Sequence, residues 1–416
     1  MKNNKKKVFN ALIAFILFCA IIQGINYCIK NSTRNILVQS LYNSLEYGKG
    51  EFDQELLVNY NARNIDKLNK GKELAAEDYF LMAFEYCTIN KDREEALKYA
   101  AKVEEKKGIF TNRYVELYSE FLIDYYYTYI QKDDDISKRI DEELSNITIR
   151  DWNKYSNLLN SKLALFINFD GGLDYIMNKA EELLKNEEKL EAQTIVIVKD
   201  TLVAVYKQKG YHAKVLEKCM ELKALLEESN VIYGDAYRAR AQLNEAEVYA
   251  MLSDNEKAEE LLKEALEMNI ENKSLNRDTK VTILNDLISI YFIEGDMDEI
   301  LDLINKYKDI MKDNDAYNSD VLYYLSMAQY HMEKYEKDRS SKEDLSKAEE
   351  YIKLSRNCFT AHTGAISINI SKHQSVYETY LEYLKGNVDY ALNKYNELLN
   401  DLVDRNLEID ILQKNV

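Results

Sequence analysis

The sequence predicts an all-α protein of stacked helical hairpins, and three observations predict it. First, the 416 residues include no proline and only 12 glycines, against roughly 20 and 29 at average usage. A chain so poor in turn formers has long helices and short polar loops, not the many tight turns of a sandwich or barrel. Second, apolar residues fall at i, i+3, i+4 and i+7, as at Leu284, Leu287, Ile288 and Tyr291, which paints one face of a helix. Third, that pattern repeats. Lys91, Gly171, Gly210, Ser253, Gly295 and Gly386 occupy corresponding turns; the inner gaps are 39, 43 and 42 residues, and the outer ones, 80 and 91, each have room for one more unit. A hairpin that cannot bury its stripe alone must stack on its neighbours, and about eight such hairpins follow from this count.

In chain order, residues 1–7 carry Lys2, Lys5, Lys6 and Lys7 and read as a cytoplasmic basic flank. Residues 8–29 are apolar, with no polar side chain from Ala11 to Ile22, and read as a transmembrane signal anchor. A cleaved signal peptide is the alternative, although cutting after Gly24 puts bulky Ile22 at −3, and Phe18 disfavours lipidation at Cys19. Only Lys30 and Arg34 follow closely, so either reading puts the body outside the cytoplasmic membrane. Residues 30–74, with Ile36, Leu37, Leu41 and Leu45 on one face, are expected to form a stalk or capping helix.

Residues 75–400 hold the repeats. Phe80, Ala83, Phe84 and Cys87 are followed across a turn by Ala96, Ala100 and Val103; Leu163, Ala164 and Ile167 by Ile176, Ala180 and Leu183; Leu202, Val203 and Tyr206 by Val215, Cys219 and Leu222; Ala246 and Tyr249 by Ala258, Leu262 and Ala265; and the Leu284 stripe by Ile300, Ile304 and Tyr307. A last unit joins a helix over Val376–Leu384 to Val388, Ala391, Tyr395 and Leu398. The two wide gaps hide units near 114–147 and 321–359, the latter with a polar insertion at Glu336–Asp344. In residues 401–416, Leu402, Ile409 and Leu412 fit either a terminal cap or a coiled-coil contact with another chain.

The run Leu-x2-Leu-Ile-x2-Tyr-x3-Gly-x-Met-x2-Ile from Leu284, and Ala246-x2-Tyr249 followed by Asp254-Asn255-Glu256-Lys257-Ala258, resemble the tetratricopeptide repeat. The resemblance covers about residues 75–400 and implies a right-handed superhelical solenoid. The units exceed that family's usual length of about 34 residues, and no proline closes them. In such folds the first helix of each unit lines a concave groove, and an Asn beside the small core residue holds a peptide backbone. By the same register the resemblance implies a groove formed by Lys162, Asp200, Arg240, Asn244, Glu247, Asn285, Asp286 and Ser289, with side chains able to hydrogen-bond an extended chain.

Composition narrows the function. With 55 Lys and Arg against 72 Asp and Glu, the net charge is −17, which repels phosphate backbones and excludes nucleic acid as a general partner. The five cysteines form no CxxC pair, and those in the body are expected as buried free thiols. HExxH, GxSxG, GxxxxGK[ST] and GxGxxG are all missing, and none of the four histidines has a His or Cys at metal-ligand spacing. The acidic runs at Asp133–Asp135 and Asp313–Asp315 lack the glycine and glutamate of a calcium loop. No enzyme activity, metal or cofactor is expected. Most of the 33 tyrosines, including Tyr125, Tyr126, Tyr127 and Tyr129, are expected to pack between helices. The expected function is that of a membrane-anchored extracytoplasmic scaffold binding a protein or peptide in its groove. The alternative is a peptide-sensing receptor subunit that signals through a separate output protein.

Overall fold

The computed structural model describes residues 32–49, 52–131, 135–269, 277–294, 296–311, 317–361 and 368–404. Among these the chain is helical and forms no strand. The expected signal anchor at residues 8–29, its basic flank and the tail beyond residue 404 lie outside the described residues, as do Asp133, Asp134 and Asp313–Asp315. No helix among the described residues is long and apolar enough to cross a membrane. The chain divides into two compact units, Met1–Val198 and Lys199–Val416, with the border inside the helix Ala192–Gln208.

The first unit contains α1 (Thr33–Tyr47), α2 (Gln54–Asn69), α3 (Ala76–Thr88), α4 (Arg93–Lys106), α5 (Arg113–Tyr126), α6 (Ile136–Ser145), the short α7 (Ile149–Lys154), α8 (Ser156–Ala164) and α9 (Gly172–Leu184). Where one stalk or capping helix was expected over 30–74, two helices form a further hairpin. Gly48 ends α1 in the left-handed region (φ 56°), and the Asp53 carboxylate starts α2 by accepting the Leu56 N–H at 2.8 Å. Nor does α1 behave as a stalk. Leu37 and Leu41 are buried, and Glu46 accepts the backbone N–H groups of Asn157 and Leu158 at 3.1 Å each. Glu46 thereby caps α8, whose own N-cap residue, Tyr155, makes no side-chain cap bond.

Along α5 and the π-helix Tyr127–Gln131 that continues it, Tyr114, Tyr118, Phe121, Tyr125 and Tyr129 form a ladder. Successive ring centroids are 5.8, 6.0, 6.1 and 4.7 Å apart. Of the expected tyrosine cluster, Tyr126 is buried and Tyr127 packs between helices against Ala83, Ala100, Leu122 and Ile123, while Tyr125 lies on its ring neighbours and Tyr129 is exposed at the end.

The second unit begins within α10 (Ala192–Gln208) and continues through α11 (His212–Glu228), α12 (Gly234–Met251), α13 (Asn255–Asn269), α14 (Arg277–Glu294), α15 (Met297–Met311), α16 (Tyr317–Lys337), α17 (Lys342–Ala361), α18 (Ile368–Leu384) and α19 (Val388–Asp404). The predicted stripe is its core: Leu284, Leu287, Ile288, Tyr291, Ile300 and Ile304 join Ala246, Ala258, Leu262 and Ala265 in one buried cluster. Cys219 is a buried free thiol, its ionisation pushed up to about 12 by burial. The polar insertion expected at 336–344 is mostly helix, and only residues 338–341 separate α16 from α17. Ser341 and Asp344 close that turn through a 2.5 Å hydrogen bond.

Five of the six predicted turn positions have left-handed backbone: Lys91, Gly171, Gly210, Ser253 and Gly386, at φ 57°, 70°, 68°, 64° and 90°. Gly295 lies outside the described residues. These five hairpins therefore turn where the spacing placed them. In the second unit the first helices of successive hairpins also touch, α12 with α14, α14 with α16 and α16 with α18. This contact gives adjacent hairpins a shared polar face.

Candidate functional site

The shared face of α10, α12, α14 and α16 carries a strip of polar side chains. On α10, Asp200 takes a two-point contact from the Arg240 guanidinium on α12, at 2.8 and 3.3 Å, and Arg240 also lies 4.4 Å from the Tyr237 ring centroid. Two turns further along α10, Lys207 pairs with Glu247 and donates to Asn244 Oδ1 at 3.1 Å. On α14, Asn285 Oδ1 accepts from Ser326 of α16 at 2.9 Å. The partners of these three cross-helix hydrogen bonds stand 40, 37 and 41 residues apart, so the sequence period appears directly as a row of contacts.

Both strip asparagines are anchored to their own helices. Asn244 donates to the Arg240 carbonyl and Asn285 to the Val281 carbonyl, each at 2.9 Å. A carboxamide has two N–H donors, so each retains a second one after this bond. Ser289 is exposed and donates to the Asn285 carbonyl at 2.9 Å.

Asp286 differs from the rest of the strip. It is half-buried, and its enclosed Oδ2 has no hydrogen-bond partner. Burial, reinforced by the Glu247 charge and only partly offset by Lys207, raises its carboxyl to about 7.

Seven of the eight predicted groove residues therefore come together: Asp200, Arg240, Asn244, Glu247, Asn285, Asp286 and Ser289. Lys162 does not share their character. It is 1% exposed in the first unit, paired with Asp124 at 2.9 Å, with Glu143, and with Glu120 at 3.6 Å. Helical register showed it on the first-helix face, but a lysine there can equally face the carboxylates of α5 and α6, and this one does. Arg139 adds a second cation 3.6 Å from Asp124. Burial raises the Asp124 carboxyl against the opposing pull of Lys162. The carboxylates Asp124 and Glu143 in turn hold the Lys162 ammonium above its usual range despite its burial.

Sequence reasoning missed Lys207 and Ser326. Both stand about one period from a residue it selected, Lys207 before Glu247 and Ser326 after Asn285, so the repeat length would have found them.

Two other features stand apart from the strip. His331 Nδ1 lies 2.7 Å from Asp344, which also accepts from Ser341. In a hydrolytic triad the histidine stands between hydroxyl and carboxylate. Here the carboxylate is in the middle, bonded to both Ser341 and His331, and the set is a helix-start brace. A cleft of about 880 Å³ is formed by α17, α18 and the start of α19 and contains no strip residue. Its charged groups pair across it, Arg356 with Glu378 and Lys385 with Glu349, both at 2.7 Å.

No family model matches the chain, and no curated protein does. Among solved structures the chain is similar to the apo form of RapI, at 13% identity and a TM-score of 0.43, over 78% of this chain and 96% of that one.

Proposed function

We propose that the chain is a tetratricopeptide-type scaffold without catalytic activity, anchored by residues 8–29 with its body outside the cytoplasmic membrane, and that the strip on α10, α12, α14 and α16 binds an extended peptide or protein segment. The observation that carries the reading is the row itself: Asp200, Lys207, Asn244, Asn285 and Ser326 make cross-helix contacts one period apart along adjoining first helices. A row of amide and charged groups at regular intervals suits an extended backbone, whose own donors and acceptors also recur at regular intervals. The spare N–H groups of Asn244 and Asn285 would each meet a peptide carbonyl. The lysine run before residue 8 and its scarcity after residue 29 support the outside placement.

The test is selection of binders from a degenerate hexapeptide library on the full chain. Binders should be recovered, and Asn244→Ala with Asn285→Ala should weaken them at least tenfold while the protein remains folded. Recovery of no binder, or binders indifferent to both substitutions, would overturn the peptide-binding reading. Topology has its own measurement: protease added to cells stripped of their wall should digest the body, and full protection would refute the outside placement. If bound peptide alters the association of a second protein with the scaffold, the receptor reading gains over the passive one.

A further inference from the structure

We infer that the strip selects a peptide bearing a cationic side chain, the ammonium of lysine or the guanidinium of arginine, and that this cation docks on Asp286. The inference rests on the peptide-binding reading and adds the chemistry of one subsite. Asp200 is held by Arg240, Glu247 by Lys207, Asn244 by Lys207 and its own helix, and Asn285 by Ser326 and its own helix. At Asp286 the enclosed Oδ2 has no donor. Leaving a buried acceptor unmatched costs the fold its desolvation, and a ligand that brings a donor recovers that cost.

The local charge says which kind of donor. Asp286 faces Glu247 and Lys207, and that lysine is already engaged by Glu247. With both carboxyls ionised, two carboxylates against one ammonium leave this end of the strip one negative charge in excess, whereas the Asp200–Arg240 pair beside it is balanced. A ligand carboxylate or phosphate would be repelled there. An amide N–H could fill the hydrogen bond but not the charge; an ammonium or guanidinium fills both, and an ion-assisted bond is about twice as strong as a neutral one. The exposed Ser289 stands one turn further along α14, so the face that carries Asp286 reaches solvent there.

Because the whole chain is acidic, with a net charge of −17, the experiment must separate a built subsite from general attraction. Two hexapeptide libraries, degenerate in neutral residues elsewhere, carry one fixed arginine or its neutral isostere citrulline, and both are selected on the full chain at physiological salt. The arginine library should yield the tighter binders, and Asp286→Asn should weaken the best of them at least tenfold, with Glu188→Gln at an exposed site leaving affinity within twofold. Asp286→Asn keeps the side-chain shape and should raise the melting temperature at pH 8, which separates lost binding from lost folding. Equal affinity of citrulline peptides, indifference to Asp286→Asn, or equal losses from Asp286→Asn and Glu188→Gln would each overturn the cation subsite while leaving peptide binding intact. Absence of binders from both libraries would instead overturn the peptide-binding reading itself.

Discussion

The ion cluster around Lys162 and the strip around Lys207 use the same ingredients and reach opposite ends. Each gathers several carboxylates about a lysine: Asp124, Glu143 and Glu120 around Lys162 with Arg139 and Lys107 in support, and Glu247 and Asp286 around Lys207. In the first unit the centre is sealed, because Lys162 and Asp124 have 2% and 0% of their side chains exposed. In the second, Lys207 and Glu247 keep 33% and 21% of their side chains exposed, and Asp286 is half-buried beside them. The difference teaches that carboxylates gathered about a lysine can serve a ligand only where something from outside can reach them.

The sharpest way to break the comparison is to remove each lysine. Lys162→Ala should destabilise the protein by about 3–5 kcal/mol, because it leaves several buried carboxylates without their cation. Lys207→Ala should cost no more than about 1 kcal/mol, as expected of a part-exposed pair. Chemical denaturation measured on both variants decides it, and equal losses would erase the distinction. The Lys162→Ala deficit should also shrink on acidification from pH 8 to pH 5, as protons replace the missing cation; a deficit independent of pH would mean that lost packing dominates.

Asp286→Asn probes the open side of the comparison. The carboxyl is raised in the folded protein from 3.8 to about 7, so between those values the folded chain holds a proton that the unfolded chain has released. Stability from this group therefore falls as pH rises from about 4 to about 7, and the penalty is complete above that. The full displacement corresponds to about 4 kcal/mol, which partial contact with water reduces to about 1–2 kcal/mol. Asp286→Asn should gain that amount at pH 8 and nothing near pH 4. A gain that persists at pH 4, or a loss at pH 8, would show that Asp286 is matched in the free protein.

How far these features were legible depends on whether the signal was local or tertiary. The stripes at Leu284–Tyr291 and Ile300–Ile304 and the turns at Lys91 and Gly210 were legible because helix period and left-handed turns are properties of short stretches. The hairpin of α1 and α2 was missed although Gly48 and Asp53 mark its turn, because the apolar pattern there is weak and Glu46 reaches its partners more than 100 residues away. Within the candidate site, the tetratricopeptide resemblance, carried along the repeat register, pointed to Asn244, Asn285 and Asp286 on one face. The same register could not show that Lys162 faces α5 and α6, since a polar position on a helix looks alike in sequence whether it meets water or a carboxylate.

The smallest expected effect tests the repeat geometry on which both regions depend. Corresponding turns in the two units are made by glycine at Gly171, Gly210 and Gly386 but by side-chain-bearing residues at Lys91 and Ser253, which share the same left-handed backbone at φ 57° and 64°. A Cβ in that region is disfavoured by about 1 kcal/mol, whereas glycine adopts it freely but loses more chain entropy on folding. Ser253 is exposed and its N–H bonds the Ala250 carbonyl at 3.0 Å, a contact of the backbone alone. Ser253→Gly should therefore leave the turn unchanged and stabilise the protein by about 0.5 kcal/mol, read as a small rise in the denaturation midpoint, while Gly210→Ala at the preceding turn should destabilise it by about 1 kcal/mol. If both substitutions moved stability in the same direction, the turns would not be equivalent, and the row of contacts one period apart across α10, α12 and α14 would need a cause other than the repeat.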